Sequence, residues 1–306
     1  MKSERIETKK INEYNLVDVT EMGNIIEIRF ISKKNRKNVI RRLKNNEYLD
    51  IRTGEINKCQ QTEKRIERIN SLKSTFRKLR NLINANVVDS NFCQWITLTY
   101  AENMKDTKRL YKDFEKFHKK YKYYMNKKGF QKFEYINVIE PQGRGAYHIH
   151  LLYIFDRKPP FIPNDELRKI WGHGFVMIKS LDDVDNVGAY LTAYLGDLPL
   201  ERMENIINIE KMAQNDDNEV REHIKVDEQT GKKYIKGGRL HFYPSNMNLY
   251  RCSRGIEKPV TKEMYYDEAE KMVIGATKTY SKTVKVITDD DSEIIISTQY
   301  YNKIRK

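Results

Sequence analysis

The sequence predicts an α+β protein built on a βαββαβ antiparallel sheet with helices on one face, extended by accessory segments at both ends. Three observations predict it. Between residues 95 and 195, apolar runs of period two alternate with amphipathic stretches of period near 3.6. Two of the strand-like runs are joined by the turn-rich Pro141-Gln142-Gly143-Arg144-Gly145, which reads as a hairpin connection. The polar stretch from 201 to 236 separates this block from a basic C-terminal region.

Taken in order, residues 1–90 form a basic N-terminal accessory region. It opens with a strand-like NIIEIRF (Asn24 to Phe30) and continues through Lys33, Lys34, Arg36, Lys37, Arg41 and Arg42. Ile66, Ile69, Leu72, Phe76, Leu79 and Ile83 recur every three or four residues, so one long amphipathic helix is expected over 61–83. Arg65, Arg68, Lys73, Arg77 and Arg80 share its remaining surface, as a solvated face or a DNA contact.

The core, 91–200, reads as strand Trp95–Tyr100, helix Lys108–Met125, strands Phe133–Glu140 and Ala146–Phe155, helix Asn164–Trp171, strand Phe175–Lys179 and helix Val184–Leu195. That order is the split βαβ arrangement of a ferredoxin-like sheet, one face covered by helices and the other free for a substrate. Thr97 and Thr99 share a face of the first strand and are expected on the open side. Residues 201–237 are a polar insertion, and 238–306 a basic region ending in a hairpin, with strands near Thr277–Thr288 and Glu293–Tyr301.

Composition narrows the partners. The chain of 306 residues carries 57 basic and 43 acidic residues, a net charge of +14 that favours a polyanion, nucleic acid first. Three cysteines without a CxxC pair suggest neither a zinc ribbon nor a disulfide framework. No apolar run reaches the roughly 18 residues of a membrane span, and an intracellular, cytoplasmic protein is expected. No GxxxxGK[ST] occurs, so a fused ATP-driven helicase is not expected.

The chemistry concentrates in GAYHIHLLY. On a strand, His148 and His150 leave the same face about 6 to 7 Å apart, and a hairpin brings Glu140 beside them. Two imidazoles and a carboxylate make a three-ligand set with open positions, suited to Mn²⁺ by affinity and to Mg²⁺ by abundance. His118, His173, His223 and His241 are scattered and read as structural. In DNVGAYLTAYLGD, Tyr190 and Tyr194 stand four apart on one helix face. A phenolate beside a polarised phosphate can form a phosphotyrosine ester. HKKYKYY (His118 to Tyr124) interleaves Lys119, Lys120 and Lys122 with aromatics, a pattern of single-strand binding or of an amphipathic helix with solvated lysines.

In this order, WITLTY, HIH and the tyrosine-bearing YLTAY resemble the three motifs of the HUH endonuclease superfamily, most closely the rolling-circle replication initiators of plasmids and phages of Gram-positive bacteria. The resemblance spans about 94 to 197, with looser similarity at NLINAN, YRCSRGIEKP and YYNKIRK. It implies that Glu140, His148 and His150 hold a divalent metal. It also implies that Tyr190 takes the 5′ phosphate of nicked origin DNA, leaving a 3′ hydroxyl to prime synthesis, while Tyr194 is a second nucleophile or a packed aromatic. The partners implied are single-stranded and hairpin origin DNA, a host helicase and a polymerase.

The family commonly has a lysine three residues after the tyrosine; here Ala193 stands there. Lys179 or Arg144 is a candidate to supply the charge, and Arg251 and Arg254 in YRCSRGIEKP are further DNA contacts. Conjugative relaxases usually carry the tyrosine ahead of the histidines, the opposite of the order here. Two readings stand beside the initiator: a non-catalytic DNA-binding regulator on the same fold and a transposase of the same superfamily. An RNA-binding use of the sheet is a further one.

Overall fold

The computed structural model describes residues 2–7, 10–34, 40–45, 47–51, 53–58, 69–142, 146–182, 184–196, 198–199, 224–226, 233–235, 243, 248–287 and 292–305. Along the chain come β1 (Lys2–Ile6), β2 (Leu16–Met22), β3 (Ile25–Ile31), β4 (Ile40–Arg42), β5 (Glu47–Asp50), β6 (Ile56–Lys58) and helix α1 (Ile69–Asn86). The central block is β7 (Cys93–Thr99), α2 (Thr107–Lys127), β8 (Phe133–Pro141), β9 (Tyr147–Phe155), α3 (Asn164–Trp171), β10 (Val176–Lys179) and α4 (Val187–Gly196). Then follow β11 (Leu198–Pro199), β12 (Ile224–Val226), β13 (Lys233–Ile235), β14 (Tyr250–Cys252), β15 (Val260–Tyr265), α5 (Tyr266–Met272), β16 (Thr277–Ile287) and β17 (Glu293–Asn302).

Two compact units divide the chain: Met1–Glu63 with Pro259–Lys306, and Lys64–Lys258. This division differs from the four consecutive segments expected. The reason is hydrogen bonding across the sequence: β17 pairs with β3, β15 with β2 and β1 with β16, all antiparallel. The two ends therefore share one six-stranded sheet, ordered β1-β16-β17-β3-β2-β15. Val17, Val19, Ile26, Ile28 and Tyr301 on one face of it bury Tyr266, Ala269 and Val273 from α5 and the residue after it. Much of the basic stretch after β3 lies outside the described residues; Lys34 is held by Asp18 at 2.5 Å and Glu263 at 3.2 Å.

The larger unit carries a five-stranded antiparallel sheet ordered β10-β7-β9-β8-β14. Its first four strands have the split βαβ connectivity: β9 lies between β7 and β8, which α2 joins, and β7 lies between β9 and β10, which α3 joins. Alternation sorts the side chains. Ile96, Leu98, Ile139, Ile149, Leu151 and Tyr153 face α2 and α3, where Leu110, Phe114, Phe117, Tyr121, Leu167 and Trp171 meet them. Asp106 caps α2, accepting from the amides of Lys108 at 2.8 Å and Arg109 at 3.1 Å.

The opposite face does not stand open as expected. Trp95, Ile136, Val138 and Leu152 there are apolar and buried under Leu79, Leu82 and Ile83 of α1 and Val187, Leu191 and Leu195 of α4. Apolar stripes on two helices and an apolar half-sheet remove one another from water, which favours closure. A short ladder of β11, β13 and β12 falls within the stretch expected to be a polar insertion.

Candidate metal centre

Strand register assembles the centre. Glu140 stands directly across from His148 on the β8–β9 ladder, and Val138 across from His150. Gln142 N–H donates to the Ala146 carbonyl at 2.7 Å, closing the connection between the two strands. Glu140, His148 and His150 each present a ligand atom within 4.8 Å of the others. Glu140 is 3% and His150 1% exposed, while His148 is half-buried. The expected triad is thus brought together, at the edge of the face that α1 and α4 cover.

His150 is held on every side. Its ring stacks on Trp95 with centroids 5.2 Å apart and planes 8° from parallel, and Tyr194 meets it edge-on at 5.7 Å. Nδ1 hydrogen-bonds the Thr97 hydroxyl at 3.1 Å, and Nε2 contacts Glu140 Oε2. Burial, reinforced by the positive charge of Lys179, pushes the imidazole down to about 3. The Glu140 contact is therefore a hydrogen bond from a neutral ring, and a neutral ring is the form that ligates metal. Two imidazole nitrogens and a carboxylate oxygen so close together fit a divalent ion with open positions. Thr97 suits either tautomer, because a hydroxyl accepts from Nδ1–H when Nε2 ligates and donates to Nδ1 when Nε2 carries the proton.

Helix α4 brings the tyrosines to this face. Tyr194 carries the His150 contact, and the Lys179 ammonium sits 5.4 Å from its ring centroid. Tyr190, one turn earlier, is 44% exposed. The helix is clamped by residues that none of the three motifs contains. Asn84 Oδ1 accepts the Gly188 amide at 2.8 Å, and its Nδ2 donates to Asn186 Oδ1 at 3.0 Å. The same Asn186 oxygen accepts the Ala189 amide at 2.9 Å, capping α4, and Arg80 Nε donates to Thr192 Oγ1 at 3.2 Å. Arg80 thus serves packing rather than a basic outer face. A Cβ on Gly188 would lie 2.4 Å from the Arg80 carbonyl oxygen, so glycine is what lets α4 approach α1. The signal for this clamp is faint: asparagines in NLINAN and a glycine at a helix start.

The residues expected to contact DNA do not converge. Thr97 is 6% exposed and meets His150 instead of a substrate, while Thr99 is half-buried across from His148. Lys179 closes β10 opposite Trp95, on the metal face. Arg144 lies outside the described residues. Lys119, Lys120 and Lys122 are exposed on α2, across the sheet. Arg251 stacks on Tyr111 of α2, its guanidinium carbon 3.3 Å from the ring centroid, and Arg254 is exposed just beyond β14. His118 and His173 pack among aromatic rings, while His223 and His241 lie outside the described residues.

A family model for the replication-associated protein of ORF2 type matches residues 93–198, the segment from β7 to β11 that holds Glu140, His148, His150 and both tyrosines. The match supports a family of rolling-circle replication initiators and with it a role in DNA replication. No curated protein and no solved structure matches the chain.

Proposed function

We propose that this chain initiates rolling-circle replication by nicking one strand of an origin and later rejoining the ends. The observation that carries the reading is the Glu140, His148 and His150 cluster on the sheet face over which α4 lays its two tyrosines, within the segment matched by a replication-associated family. Tyr190 is the nucleophile. It is exposed where a DNA strand can reach it, while Tyr194, fixed between His150 and Lys179, holds the helix to the centre.

In the reaction, Tyr190 Oη forms a bond to the phosphorus of one phosphodiester and the bond from phosphorus to O3′ breaks. The phenol proton leaves to solvent, and the products are a 5′-phosphotyrosyl end and a free 3′ hydroxyl. A divalent ion, Mn²⁺ or Mg²⁺, would be held by Glu140, His148 and His150 and would supply polarisation of the phosphate. Lys179 contributes positive charge in the position left by Ala193. Because the ester retains the phosphodiester's energy, an attacking 3′ hydroxyl reverses the step and closes the strand. Host helicase and polymerase would act on the nicked, cytoplasmic origin.

The test is incubation with Mn²⁺ and labelled single-stranded origin DNA, followed by a denaturing gel. A covalent protein–DNA adduct lost in Tyr190→Phe and kept in Tyr194→Phe is expected. Tight origin binding with no adduct in either metal would overturn the nickase in favour of a DNA-binding regulator.

A further inference from the structure

A second charged feature lies across the sheet from the metal centre, where α2 and α3 meet. A groove of about 550 Å³ is lined by Lys119, Lys120, Tyr123, Tyr124 and Lys127 of α2 with Lys169 and Ile170 of α3. It is no accident of one lysine. Helix α2 carries Lys108, Arg109, Lys112, Lys116, Lys119, Lys120, Lys122 and Lys127 against two carboxylates, Asp113 and Glu115, both in its first half. From residue 116 to 133 there is no acidic residue at all.

Helical spacing decides which side chains converge. Residues 119, 120, 123, 124 and 127 share one flank of α2, beside the buried stripe of Phe117, Tyr121 and Met125, while Lys122 projects from the other flank. Tyr123 is 64% exposed, and the Lys127 ammonium lies 4.5 Å from its ring centroid. Tyr124 is fixed: its hydroxyl donates to Glu166 of α3, and Lys128 lies 5.6 Å from its ring centroid. An exposed ring flanked by four convergent ammonium groups offers a stacking face and phosphate partners together, the combination that holds a single strand without reading its sequence.

We infer that the groove between α2 and α3 binds single-stranded DNA, as a second nucleic-acid surface separate from the metal centre. The binding needs neither metal nor tyrosine ester, so it stands whether or not the centre nicks. A strand held there is kept away from the tyrosines of α4, on the opposite face of the sheet.

The experiment is fluorescence anisotropy of the full chain with a labelled dT oligonucleotide of about 12 nucleotides, in EDTA, over a salt series. Replacing Lys119, Lys120, Lys127 and Lys169 together by Gln is expected to weaken binding by at least about tenfold and to flatten the salt slope by about 0.7 for each phosphate no longer neutralised. Tyr123→Ala, at an exposed position where folding is not at stake, is expected to weaken binding by about fivefold, with Tyr123→Phe restoring it. His148→Ala with His150→Ala should bind the oligonucleotide like the parent, which separates failure of this inference from failure of the nickase. Unchanged affinity in both groove variants would overturn it and leave the groove to an acidic protein partner. Tighter binding of duplex DNA or of the matching RNA, lost in the same variants, would overturn it as well.

Discussion

At the scale of single residues, the centre depends on how His150 is held. A neutral imidazole between Thr97 and Glu140 turns one nitrogen toward the ligand cluster only if the other has a partner that tolerates both tautomers. Replacing Thr97 by Val keeps the volume and removes that partner. Mn²⁺ affinity measured by calorimetry is expected to fall about 10- to 100-fold in Thr97→Val and to hold near the parent value in Thr97→Ser. Equal affinities in both variants would show that the stacked Trp95 ring alone orients His150. Lys179→Ala removes a cation beside Tyr194 and His150. Slower adduct formation at unchanged oligonucleotide affinity is expected, read from the time course on denaturing gels.

At the scale of elements, the position of α4 is set by close packing rather than by propensity. The Gly188→Ala change puts a methyl group 2.4 Å from the Arg80 carbonyl oxygen, a backbone atom that cannot swing aside. A loss of about 1–3 kcal/mol in urea denaturation is expected, the cost of overpacking. Asn84→Ala leaves the buried Gly188 amide without its acceptor and should cost a similar amount. On the other side of the sheet, His118 of α2 sits between Tyr135 and Phe114 and hydrogen-bonds the Tyr153 hydroxyl at 2.9 Å. Burial, then the Lys122 charge, holds it below the usual histidine range. The unfolded chain therefore takes up a proton near pH 6.5 before the folded one does, and stability falls as pH drops below that value. Denaturation midpoints from about pH 7.5 to 5 should show this decline, shallower in His118→Phe.

At the scale of the whole molecule, the smaller unit is made from both ends of the chain. β17 of the C-terminal segment is hydrogen-bonded to β3 of the N-terminal one, and β15 to β2. Removing residues 1–63 alone strips β16 and β17 of β1 and β3 and leaves long unpaired edges. That truncation is expected to aggregate, whereas a chain of residues 64–258 retains its own sheet, helices and ligand cluster and should stay monodisperse by size-exclusion chromatography. A soluble 64–306 chain with an unchanged profile would contradict the shared sheet. No helix among the described residues is long and apolar enough to cross a membrane. The charge of +14 is spread over both units, so salt should weaken every nucleic-acid contact together.

What the sequence determined by itself is local. Periodicity places every core strand and helix to within a few residues, with Asn164–Trp171 matched end to end, because burial on one side dictates the repeat. Alternation likewise puts His148 and His150 on one face, and the hairpin brings Glu140 to them. What the tertiary structure decided are relations between distant segments. The pairing of β3 with β17, the closing of the second sheet face by α1 and α4, and the lodging of Gly188 against Arg80 join residues far apart in sequence. So does the division of the lysines of α2 and Lys179 onto opposite faces. No local period encodes such contacts; they follow from apolar surfaces being removed from water together.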